Sequence, residues 1–316
     1  MRVLVTGANG FVGSHLVRRL LEEGAVAGRR FSELVLMDMA FAEPARDPRV
    51  RQVPGSIADP ALLADTFGQA PLEVVFHLAS IPGGMAERNF DLGRQVNLAA
   101  TEQILELLRQ QEKPARLVFA STIAVYGASM PARVTDDTPP RPRLSYAAQK
   151  LVGETLIDDY SRRGWVEGCS LRLPGIVARP PQPSGLLSAF MSDVFWKLRA
   201  GEAFVCPVSP EATAWWMSVG CCVDNLLHAA TLPAEALSAR RSLALPVLRL
   251  SMAGLIDGLC QRFGDDRRAR VSYAPDEGLE AAFGRYPPLE ACAARELGFR
   301  DDGDVGRLIG RALGGG

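Results

Sequence analysis

The stretch VLVTGANGFVGSHL, residues 3–16, joins a short apolar run to a helical pattern through three glycines at three-residue spacing. Gly7 permits a tight turn, Gly10 lets backbone approach a diphosphate, and Gly13 allows close contact between helix and strand. The unpaired amides and the dipole at the start of the helix favour an anion. Because a strand and a helix flank the glycines in this order, the stretch predicts a dinucleotide-binding turn rather than an ordinary one. The predicted dinucleotide contacts in this turn are Gly7, Asn9, Gly10, Phe11 and Gly13.

Short apolar runs alternate with helical patterns through the first half of the chain. The predicted strands are residues 2–6, 33–38, 50–55, 73–79, 116–121 and 168–173, and the predicted helices are residues 11–23, 60–68, 87–111 and 145–163. Alternation of this kind predicts a parallel sheet that helices cover on both faces. The expected fold class is therefore α/β, a doubly wound Rossmann sheet with a smaller C-terminal substrate-binding region.

The regular alternation ends after Leu173. The segment RPPQPSG, residues 179–185, predicts a boundary or a binding loop, because proline fits neither a regular helix nor a central strand. Beyond it we predict a helix near 186–200, a strand at 214–219, a helix at 223–232 and a disordered glycine tail at 314–316. The predicted domains are a dinucleotide-binding domain over 1–173, to which 212–232 returns, and a substrate-binding region formed by 174–211 and 233–316.

Composition excludes several classes of protein. The 316 residues carry a formal net charge of −1 and 47% hydrophobic residues, so a nucleic-acid or anionic-membrane surface is not indicated. No apolar run is long enough for a transmembrane helix, and the amino end, MRVLVTGANG, lacks the pattern of a secretory signal. The six cysteines show no metal-site spacing. We therefore expect free thiols in a reducing cytoplasm and no metal site.

Asp38 ends the second predicted strand, close to where Rossmann proteins carry the acid that binds the adenosine ribose. A carboxylate at this point accepts hydrogen bonds from both ribose hydroxyls and repels a 2′-phosphate. The alternative is a solvated aspartate at the end of a strand. The sequence therefore favours NAD over NADP as the cofactor.

The segment SYAAQK, residues 145–150, places Tyr146 four residues ahead of Lys150, so both side chains share one face of a helix. Lys113, Lys150 and Lys197 are the three lysines in a chain with 35 basic residues. A nearby ammonium favours the phenolate and lowers the pKa of a phenol from its usual value of about 10. Arginine suits bidentate anions instead. We expect Tyr146 to act as a general base whose pKa is lowered by Lys150 and by a cationic nicotinamide ring.

The segment ASTIAVYG, residues 120–127, follows the fifth predicted strand, and its Thr122 can hold a substrate oxygen while Tyr146 takes the proton. The glycine turn, Thr122 and the Tyr146–Lys150 pair together resemble the extended short-chain dehydrogenase/reductase family, which includes nucleotide-sugar epimerases and dehydratases. The segments FHLAS (76–80), VNLAAT (96–101) and RELGF (295–299) extend the resemblance over nearly the whole chain. The resemblance implies that Thr122, Tyr146 and Lys150 are catalytic and that Asn97 supports them.

The resemblance implies further contacts with NAD and an association between two copies of the chain. The additional cofactor contacts that it implies are Ser56, Ile57, Leu78, Ala79, Asn97, Tyr146, Lys150, Pro174 and Ile176. Ser56 departs from the family, in which many members have an aspartate. Members often dimerise through the helices that match 87–111 and 145–163. We expect His77 to pack near the cofactor rather than act as an acid or base, and the two tryptophans at 215 and 216 to lie in the core or in a pocket wall.

Departures from the family pattern narrow the reaction. Dehydratases carry an acidic pair just after the Ser/Thr of the fifth strand, where this chain has Ile123 and Ala124. Nucleotide-sugar epimerases carry RYFN and a later Arg-Asp pair, where this chain reads RLPG (172–175) and AWWMSV (214–219). A sugar diphosphate would lose charge-assisted hydrogen bonds of about 1.5–3 kcal/mol each. The pattern therefore predicts a smaller substrate.

Three segments, residues 90–101, 171–185 and 216–229, resemble the D-erythronate dehydrogenases, which oxidise the C2 hydroxyl of a four-carbon sugar acid with NAD. This resemblance implies an NAD-dependent dehydrogenase that converts D-erythronate to 2-dehydro-D-erythronate. The predicted substrate contacts are Ser80, Thr122, Tyr146, Gly175 and Arg179, with Arg179 and the amides of residues 80–84 holding the carboxylate. The alternatives are an epimerase that keeps its NAD, an enzyme like L-threonine 3-dehydrogenase, and a non-catalytic NAD sensor, which the intact Tyr146 and Lys150 disfavour.

Overall fold

The computed structural model describes residues 1–181 and 187–314, and the chain packs as two compact units. The first, called here the sheet unit, comprises Met1–Val125, Pro140–Arg172 and Val223–Ala244. The second, called the mixed unit, comprises Tyr126–Pro139, Leu173–Cys222 and Leu245–Gly316. Residues 182–185 of the predicted proline-rich loop, the start of the predicted helix at 186, and 315–316 of the predicted tail lie outside the described residues.

Across the described ranges, seven strands form the sheet of the sheet unit. They are β1 Arg2–Thr6, β2 Glu33–Asp38, β3 Val50–Pro54, β4 Val74–His77, β5 Ala115–Thr122, β6 Val166–Leu173 and β7 Ser242–Ala244. Their order is β7-β6-β5-β4-β1-β2-β3, and the ladders β1–β2, β1–β4, β2–β3, β4–β5 and β6–β7 are parallel. This is the order of a doubly wound dinucleotide-binding sheet with one added strand, which confirms the predicted fold class. The chain reverses direction across the sheet between β1 and β4, and ligands bind such sheets at that switch point.

Helices connect these strands, and local sequence explains where they begin and end. They are α1 Phe11–Glu23, α2 Pro60–Gly68, α3 Ala100–Arg109, α4 Ser145–Arg162 and α5 Val219–Thr231, with shorter helices at Gly83–Arg88 and Phe90–Gly93 and a π-helix at Arg94–Ala99. The carboxylate of Asp59 accepts hydrogen bonds from the amides of Ala61 and Leu62 at the start of α2. Helix α1 ends at Gly24, which has a φ of 64° and donates its N–H to the carbonyl of Leu20.

Apolar side chains of the helices bury against the strands. Ile104, Leu105 and Leu108 line one stripe of α3 and have no exposed surface. They share a core cluster with residues of β1, β2, β4 and β5, such as Val35 and Phe119. Full burial of one such side chain stabilises the fold by about 1.5–3 kcal/mol. The hydrophobic pattern therefore fixes which face of each helix meets the sheet.

The predicted element boundaries agree with the structure at β1, β2, α1 and α2, and differ most at 87–111. That predicted helix is divided, because Phe90–Gly93 passes into the π-helix before α3 begins at Ala100. Gly93 packs closely on the preceding short helix, where an added Cβ would lie 2.9 Å from Ala86 Cβ. Strand β7 was not predicted, because it contains three residues and has no alternation to recognise.

The mixed unit contains a small sheet and a separate apolar core. Its strands are Gly175–Val177, Thr213–Ser218 and Leu248–Ser251, with a parallel first pair and an antiparallel second pair. Trp215 and Trp216 lie in the middle strand and are buried, and each indole donates a hydrogen bond to a backbone carbonyl. The prediction that they belong to the core is thereby confirmed.

Shorter elements complete the described chain. The remaining helices are Phe190–Ala200, Met252–Phe263, Glu277–Phe283, Cys292–Glu296 and Val305–Ala312, with 3₁₀ turns at Ile123–Tyr126, Ala234–Leu237 and Asp265–Arg270. The remaining strands pair as Ala25–Val26 with Arg29–Arg30, Val134–Thr135 with Leu289–Glu290, and Phe204–Cys206 with Val271–Tyr273. No helix within residues 1–181 and 187–314 has the length and apolar character needed to cross a bilayer. All six cysteines are free thiols, and five of them are buried.

Candidate active site

The turn between β1 and α1 is a tightly packed glycine turn. Gly7 has a φ of 70°, and an added Cβ there would lie 2.7 Å from the amide nitrogen of Ala79. An added Cβ at Gly13 would lie 2.0 Å from the carbonyl oxygen of Gly7. Helix α1 begins without a side-chain cap, and its first turn carries no acidic residue. The start of α1 therefore offers backbone amides to an anion, and the residues present fit the diphosphate of a dinucleotide.

Asp38 lies beside this turn at the end of β2. Its carboxylate accepts hydrogen bonds from the amides of Asn9, at 2.8 Å, and Met39, at 2.7 Å. The side-chain amide of Asn9 donates to the carbonyl of Ala40 at 3.0 Å. These bonds hold a carboxylate at the position where a ribose would lie. The predicted contacts after β3 differ from one another, because Ser56 is half-exposed whereas Ile57 is buried in the core.

Three hydroxyl groups from separate elements meet at the carboxyl edge of the sheet. Tyr146 lies in the first turn of α4, and its phenol forms hydrogen bonds with the hydroxyls of Thr122 and Ser80. Thr122 is the last residue of β5. Ser80 lies just after the end of β4, which is the strand next to β5 in the sheet. The Thr122 hydroxyl also accepts the amide of Ala124 at 3.1 Å, which fixes its orientation. The structure thus brings the predicted Tyr146, Thr122 and Ser80 together.

The pKa of the Tyr146 phenol shifts in the direction opposite to the expectation from sequence. Burial raises this pKa above its ordinary value of 10.0, and the hydrogen bonds from Thr122 and Ser80 oppose the rise. The expectation of a lowered pKa is therefore wrong for the chain alone. The physical reason is that removal of the phenolate from water outweighs the groups that this chain places around it.

Lys150 lies one turn beyond Tyr146 and is 1% exposed. Its Nζ is 4.4 Å from the centroid of the Phe119 ring, a cation–π contact with β5. Burial lowers the pKa of Lys150 from 10.5 to about 7, and the nearby Glu154 carboxylate opposes this shift. Lys150 is therefore a buried amine that changes its charge near neutral pH.

His77, at the end of β4, is completely buried between two threonines. Its Nδ1 is 2.7 Å from the Thr6 hydroxyl, and its Nε2 is 3.0 Å from the Thr101 hydroxyl. Burial, and then the charge of Lys150, lower the pKa of His77 from 6.5 to about 3. The ring is therefore neutral at physiological pH and serves packing, which agrees with the prediction that it is no acid or base.

Asn97 fixes the loop that carries Ser80. It is buried in the π-helix, where its Oδ1 accepts the amide of Ile81 at 2.7 Å and its Nδ2 donates to the carbonyl of Ile81 at 3.1 Å. Its Nδ2 also lies 2.8 Å from the side-chain amide of Gln149 on α4. The Ile81 amide is thus engaged and is not available to a substrate. The expectation that the loop 80–84 lends its amides is wrong at this position.

Four predicted contacts belong to the mixed unit. Pro174 is buried, and Gly175 and Ile176 lie in the strand Gly175–Val177. An added Cβ at Gly175 would lie 2.7 Å from Met191 Cε and 3.0 Å from the Trp215 carbonyl oxygen, so packing within this unit requires a glycine there. Arg179 is exposed, its amide donates to the Ser192 hydroxyl at 3.0 Å, and partial desolvation lowers its pKa.

Several polar residues beside the site were not singled out from the sequence. Glu154 and Arg172 form a buried ion pair with a nitrogen–oxygen distance of 2.7 Å, and the hydroxyl of Ser121 donates to the same carboxylate. The sequence contains features that could have identified this pair. Glu154 continues the four-residue spacing of Tyr146 and Lys150, and Arg172 interrupts an apolar strand. Among residues 1–181 and 187–314 there is no group of three or more His, Cys, Asp or Glu arranged to hold a metal ion.

Comparison with known proteins identifies the family. The sequence pattern described as the NAD dependent epimerase/dehydratase family matches residues 3–238. The chain belongs to this family. A D-erythronate dehydrogenase of Cupriavidus necator is 39% identical over 98% of this chain and 97% of its own, and one of Haemophilus influenzae is 33% identical over 98% of both. The crystal structure of a nucleoside-diphosphate-sugar epimerase from Agrobacterium tumefaciens matches with a TM-score of 0.92 and 32% identity, over 100% of this chain and 95% of that one.

Membership in the NAD dependent epimerase/dehydratase family confirms the predicted resemblance to the extended short-chain dehydrogenases. The protein is an enzyme with a nicotinamide dinucleotide as cofactor and a small molecule as substrate. The match extends over nearly the full length of two dehydrogenases, so it includes the mixed unit as well as the sheet unit.

Proposed function

We propose that this enzyme oxidises the C2 hydroxyl of D-erythronate to 2-dehydro-D-erythronate with NAD as the hydride acceptor. The observation that carries the proposal is the cluster of Tyr146, Thr122 and Ser80, in a chain 39% identical to a D-erythronate dehydrogenase over nearly its whole length. A phenol between two hydroxyls is suited to accept a proton from an alcohol, since each hydroxyl can orient the substrate oxygen.

The proposed reaction assigns one step to each group. The hydroxyls of Thr122 and Ser80 hold the C2 oxygen of the substrate, and Tyr146 removes its proton as the C2–O bond becomes a carbonyl. A bound nicotinamide supplies the acceptor for the hydride that leaves C2. Lys150, as an ammonium, stabilises the phenolate that Tyr146 must form before each turnover. Asn97 holds the loop of Ser80 in place.

The cofactor assignment extends to particular residues and to NAD rather than NADP. Asp38 holds a carboxylate where the ribose would lie, and Met39 and Ala40, which follow it, carry no positive charge for a 2′-phosphate. The remaining proposed dinucleotide contacts are Gly7, Asn9, Gly10, Phe11, Gly13, Ser56, Ile57, Leu78, Ala79, Asn97, Tyr146, Lys150, Pro174 and Ile176.

The substrate carboxylate requires a cation or several amides. We assign this role to Arg179, because a guanidinium can bind a carboxylate through two hydrogen bonds, with Gly175 as a further substrate contact. Residues 174–211 and 233–316 then form the substrate-binding region, and 1–173 with 212–232 the dinucleotide-binding domain. The proposed division differs from the two units at two strands, because Thr213–Ser218 belongs to the mixed unit and Ser242–Ala244 to the sheet unit.

Association and location follow from two further observations. Phe90 and Val152, on the helices that the family uses for dimers, are 55% and 43% exposed. We propose a homodimer through this face, since exposed apolar side chains mark protein interfaces. The six free thiols support a reducing, cytoplasmic location.

An epimerase that retains its NAD is the second candidate, and the match with the Agrobacterium tumefaciens epimerase structure at 32% identity favours it. An epimerase returns the hydride to its substrate and releases no NADH. A dehydrogenase forms one NADH for each substrate oxidised, so net NADH formation separates the two functions.

The test is an assay of NADH formation with D-erythronate, L-threonine and other four- to six-carbon sugar acids, each with NAD and with NADP. We expect the highest kcat/KM with D-erythronate and NAD. Tyr146→Phe should lower kcat by about 10²–10⁴-fold, because it removes the general base. Tyr160→Phe is the matched control, since Tyr160 lies on the same helix but contacts Glu106.

No NADH from any sugar acid, combined with interconversion of a nucleotide sugar, would establish the epimerase instead. Full activity of Tyr146→Phe would remove Tyr146 from the mechanism while leaving the substrate assignment open to the same assay.

A further inference from the structure

Glu154 is a buried carboxylate one turn beyond Lys150. Tyr146, Lys150 and Glu154 follow one another at four-residue spacing on α4, so they lie along the same face. Glu154 is 3% exposed and Lys150 is 1% exposed. Burial of an isolated charge is strongly unfavourable, so both groups need partners within the fold.

The Glu154 carboxylate connects α4 to two adjacent strands. Arg172 of β6 places its Nη2 2.7 Å from Oε2 and its Nε 3.1 Å from Oε1. The hydroxyl of Ser121, on β5, donates to Oε1. Ser121 directly precedes Thr122, so the carboxylate also fixes the strand end that carries a proposed substrate contact.

Close packing holds this part of α4 against β5. An added Cβ at Gly153, the residue before Glu154, would lie 3.0 Å from Cζ of Phe119. The same Phe119 ring lies 4.4 Å from the Lys150 Nζ. Both charged groups therefore belong to a buried, tightly packed stretch of α4 rather than to flexible surface side chains.

Within the described chain, the titratable and charged groups around Lys150 and Glu154 come from α4, β4 and β6. Tyr146 lies on α4 with both residues, the charge of Lys150 acts on His77 of β4, and Arg172 of β6 pairs with Glu154. His77 is neutral, because burial holds its pKa at about 3. The carboxylate of Glu154 opposes the desolvation of Lys150 and raises its pKa.

We propose that Glu154 is a positioning residue that keeps Lys150 in its ammonium form for Tyr146, while Arg172 and Ser121 hold the carboxylate in place. The inference rests on the proposed function, in which that ammonium stabilises the Tyr146 phenolate. Glu154 itself touches neither substrate nor cofactor in this assignment.

The direct test is a pH titration of Lys150 by NMR, with lysine labelled with ¹³C at Cε in the full-length protein. The chain has three lysines, so Lys113→Arg and Lys197→Arg assign the other two signals. In Glu154→Gln the titration midpoint of Lys150 should fall by about one pH unit or more, a tenfold change in its acid constant. The profile of kcat/KM should move to higher pH, because a neutral lysine no longer favours the phenolate.

Two further variants separate this electrostatic effect from a loss of folding. Glu154→Gln leaves Arg172 buried with a lost charge partner, so the double variant Glu154→Met/Arg172→Met removes the pair and retains an apolar packing that often preserves stability. It should fold and show a downward shift of the Lys150 midpoint that is smaller than in Glu154→Gln, because the positive charge of Arg172 is removed together with the carboxylate. Glu167→Gln is the matched control, because it removes the carboxylate partner of the buried Arg116 on the same two strands, β5 and β6. It should leave the midpoint unchanged.

An unchanged Lys150 midpoint in both Glu154 variants would overturn the inference and assign the pair a structural role. The NMR measurement needs neither substrate nor turnover, so it is independent of the proposed reaction. A shifted midpoint in an enzyme that fails to oxidise D-erythronate would refute the proposed function and leave the coupling of Glu154 to Lys150 intact.

Discussion

Two parts of the same sheet edge are built from different kinds of polar group. Around β1 and β2 the start of α1, which follows the glycine turn, offers backbone amides, and the carboxylate of Asp38 is half-exposed. Around β4, β5 and β6 the chain buries charged side chains, among them Lys150, Glu154 and Arg172. Every helix has unpaired backbone amides at its start, so a site built from them requires close packing of the backbone and no buried charged side chain. Buried charges require a network of partners and remain unfavourable even when paired.

The difference indicates which part of the sheet edge lowers folding stability in return for catalytic groups, namely the part with buried charges. A turn of glycines can bind a diphosphate without any ionisable group in the core. A base that must gain and lose a proton needs charges close to it in a low-dielectric site. We therefore expect substitutions in the two parts to have opposite consequences for folding, and three experiments examine this contrast.

Replacement of Lys150 by Met should have the largest effect. We expect kcat/KM to fall by about 10²–10³-fold, because the phenolate loses its ammonium, while the protein becomes more stable. The pKa of Lys150 is about 7 in the folded chain and ordinarily 10.5. Unfolding therefore takes up protons between these values, and the stability of the natural protein rises with pH across that window. The stabilisation by Lys150→Met, up to about 5 kcal/mol, should be greatest at or below pH 7 and decline above it.

The measurement for Lys150→Met is urea unfolding at several pH values together with steady-state kinetics. Lys113→Met is the control, since Lys113 is exposed and no change in the pH dependence is expected. A Lys150→Met protein that is less stable than the natural one at neutral pH would show that the buried amine does not destabilise the fold.

Replacement of Gly13 by Ala should have the next largest effect, and it acts on the other part of the edge. The added Cβ would lie 2.0 Å from the Gly7 carbonyl oxygen, so the turn or α1 must move. Overpacking of this kind costs about 1–3 kcal/mol of stability. We expect the displaced turn to lose a similar amount of binding free energy, which is a fall in NADH affinity of about 5–150-fold. NADH fluorescence and thermal unfolding measure both quantities.

Gly68→Ala provides the matched control for Gly13→Ala. Gly68 also lies in a helix, but an added Cβ would have nothing within 4 Å. It should leave NADH affinity unchanged and slightly stabilise the protein. Equal NADH affinity of the Gly13→Ala protein and the natural one would mean that the turn does not hold the diphosphate.

Replacement of His77 by Gln should have the smallest of the three effects, a change in folding stability at acidic pH. The pKa of His77 is about 3 in the folded chain and ordinarily 6.5, so the unfolded chain takes up a proton first as the pH falls. This contribution to stability is therefore complete above about pH 6.5 and is lost toward pH 3. At about pH 5 the loss amounts to about 2 kcal/mol.

His77→Gln should remove this part of the acid sensitivity, because glutamine can bond the same threonines and does not titrate. His15→Gln is the control, since His15 lies on α1 outside the core. The comparison is the change in unfolding free energy between pH 7 and pH 5. If the unfolding free energy of His77→Gln falls between pH 7 and pH 5 by as much as that of the natural protein, His77 is not the source of the acid sensitivity.

The sequence was sufficient for six of the seven strands and for the candidate residues at the centre of the site, and the reason is physical. Each main strand is a short apolar run, and the glycine turn and the Tyr146–Lys150 spacing are local patterns. The site also depends on long-range contacts that no local pattern contains. The bond between Asn97 and Ile81 depends on a π-helix, and the raised pKa of Tyr146 depends on burial by segments distant in the chain. Glu154 and Arg172 can be read from the sequence, but only the folded structure shows that they form an ion pair.

The position of strand β7 in the chain determines when the sheet can be completed during synthesis. It pairs with β6 through Ser242–Ala244, although β6 ends at Leu173. A nascent chain that has just made β6 therefore presents one edge of it unsatisfied until almost seventy further residues have left the ribosome. Exposed edges recruit other strands. Truncation after the first six strands should consequently yield an aggregating fragment rather than a self-sufficient cofactor-binding domain.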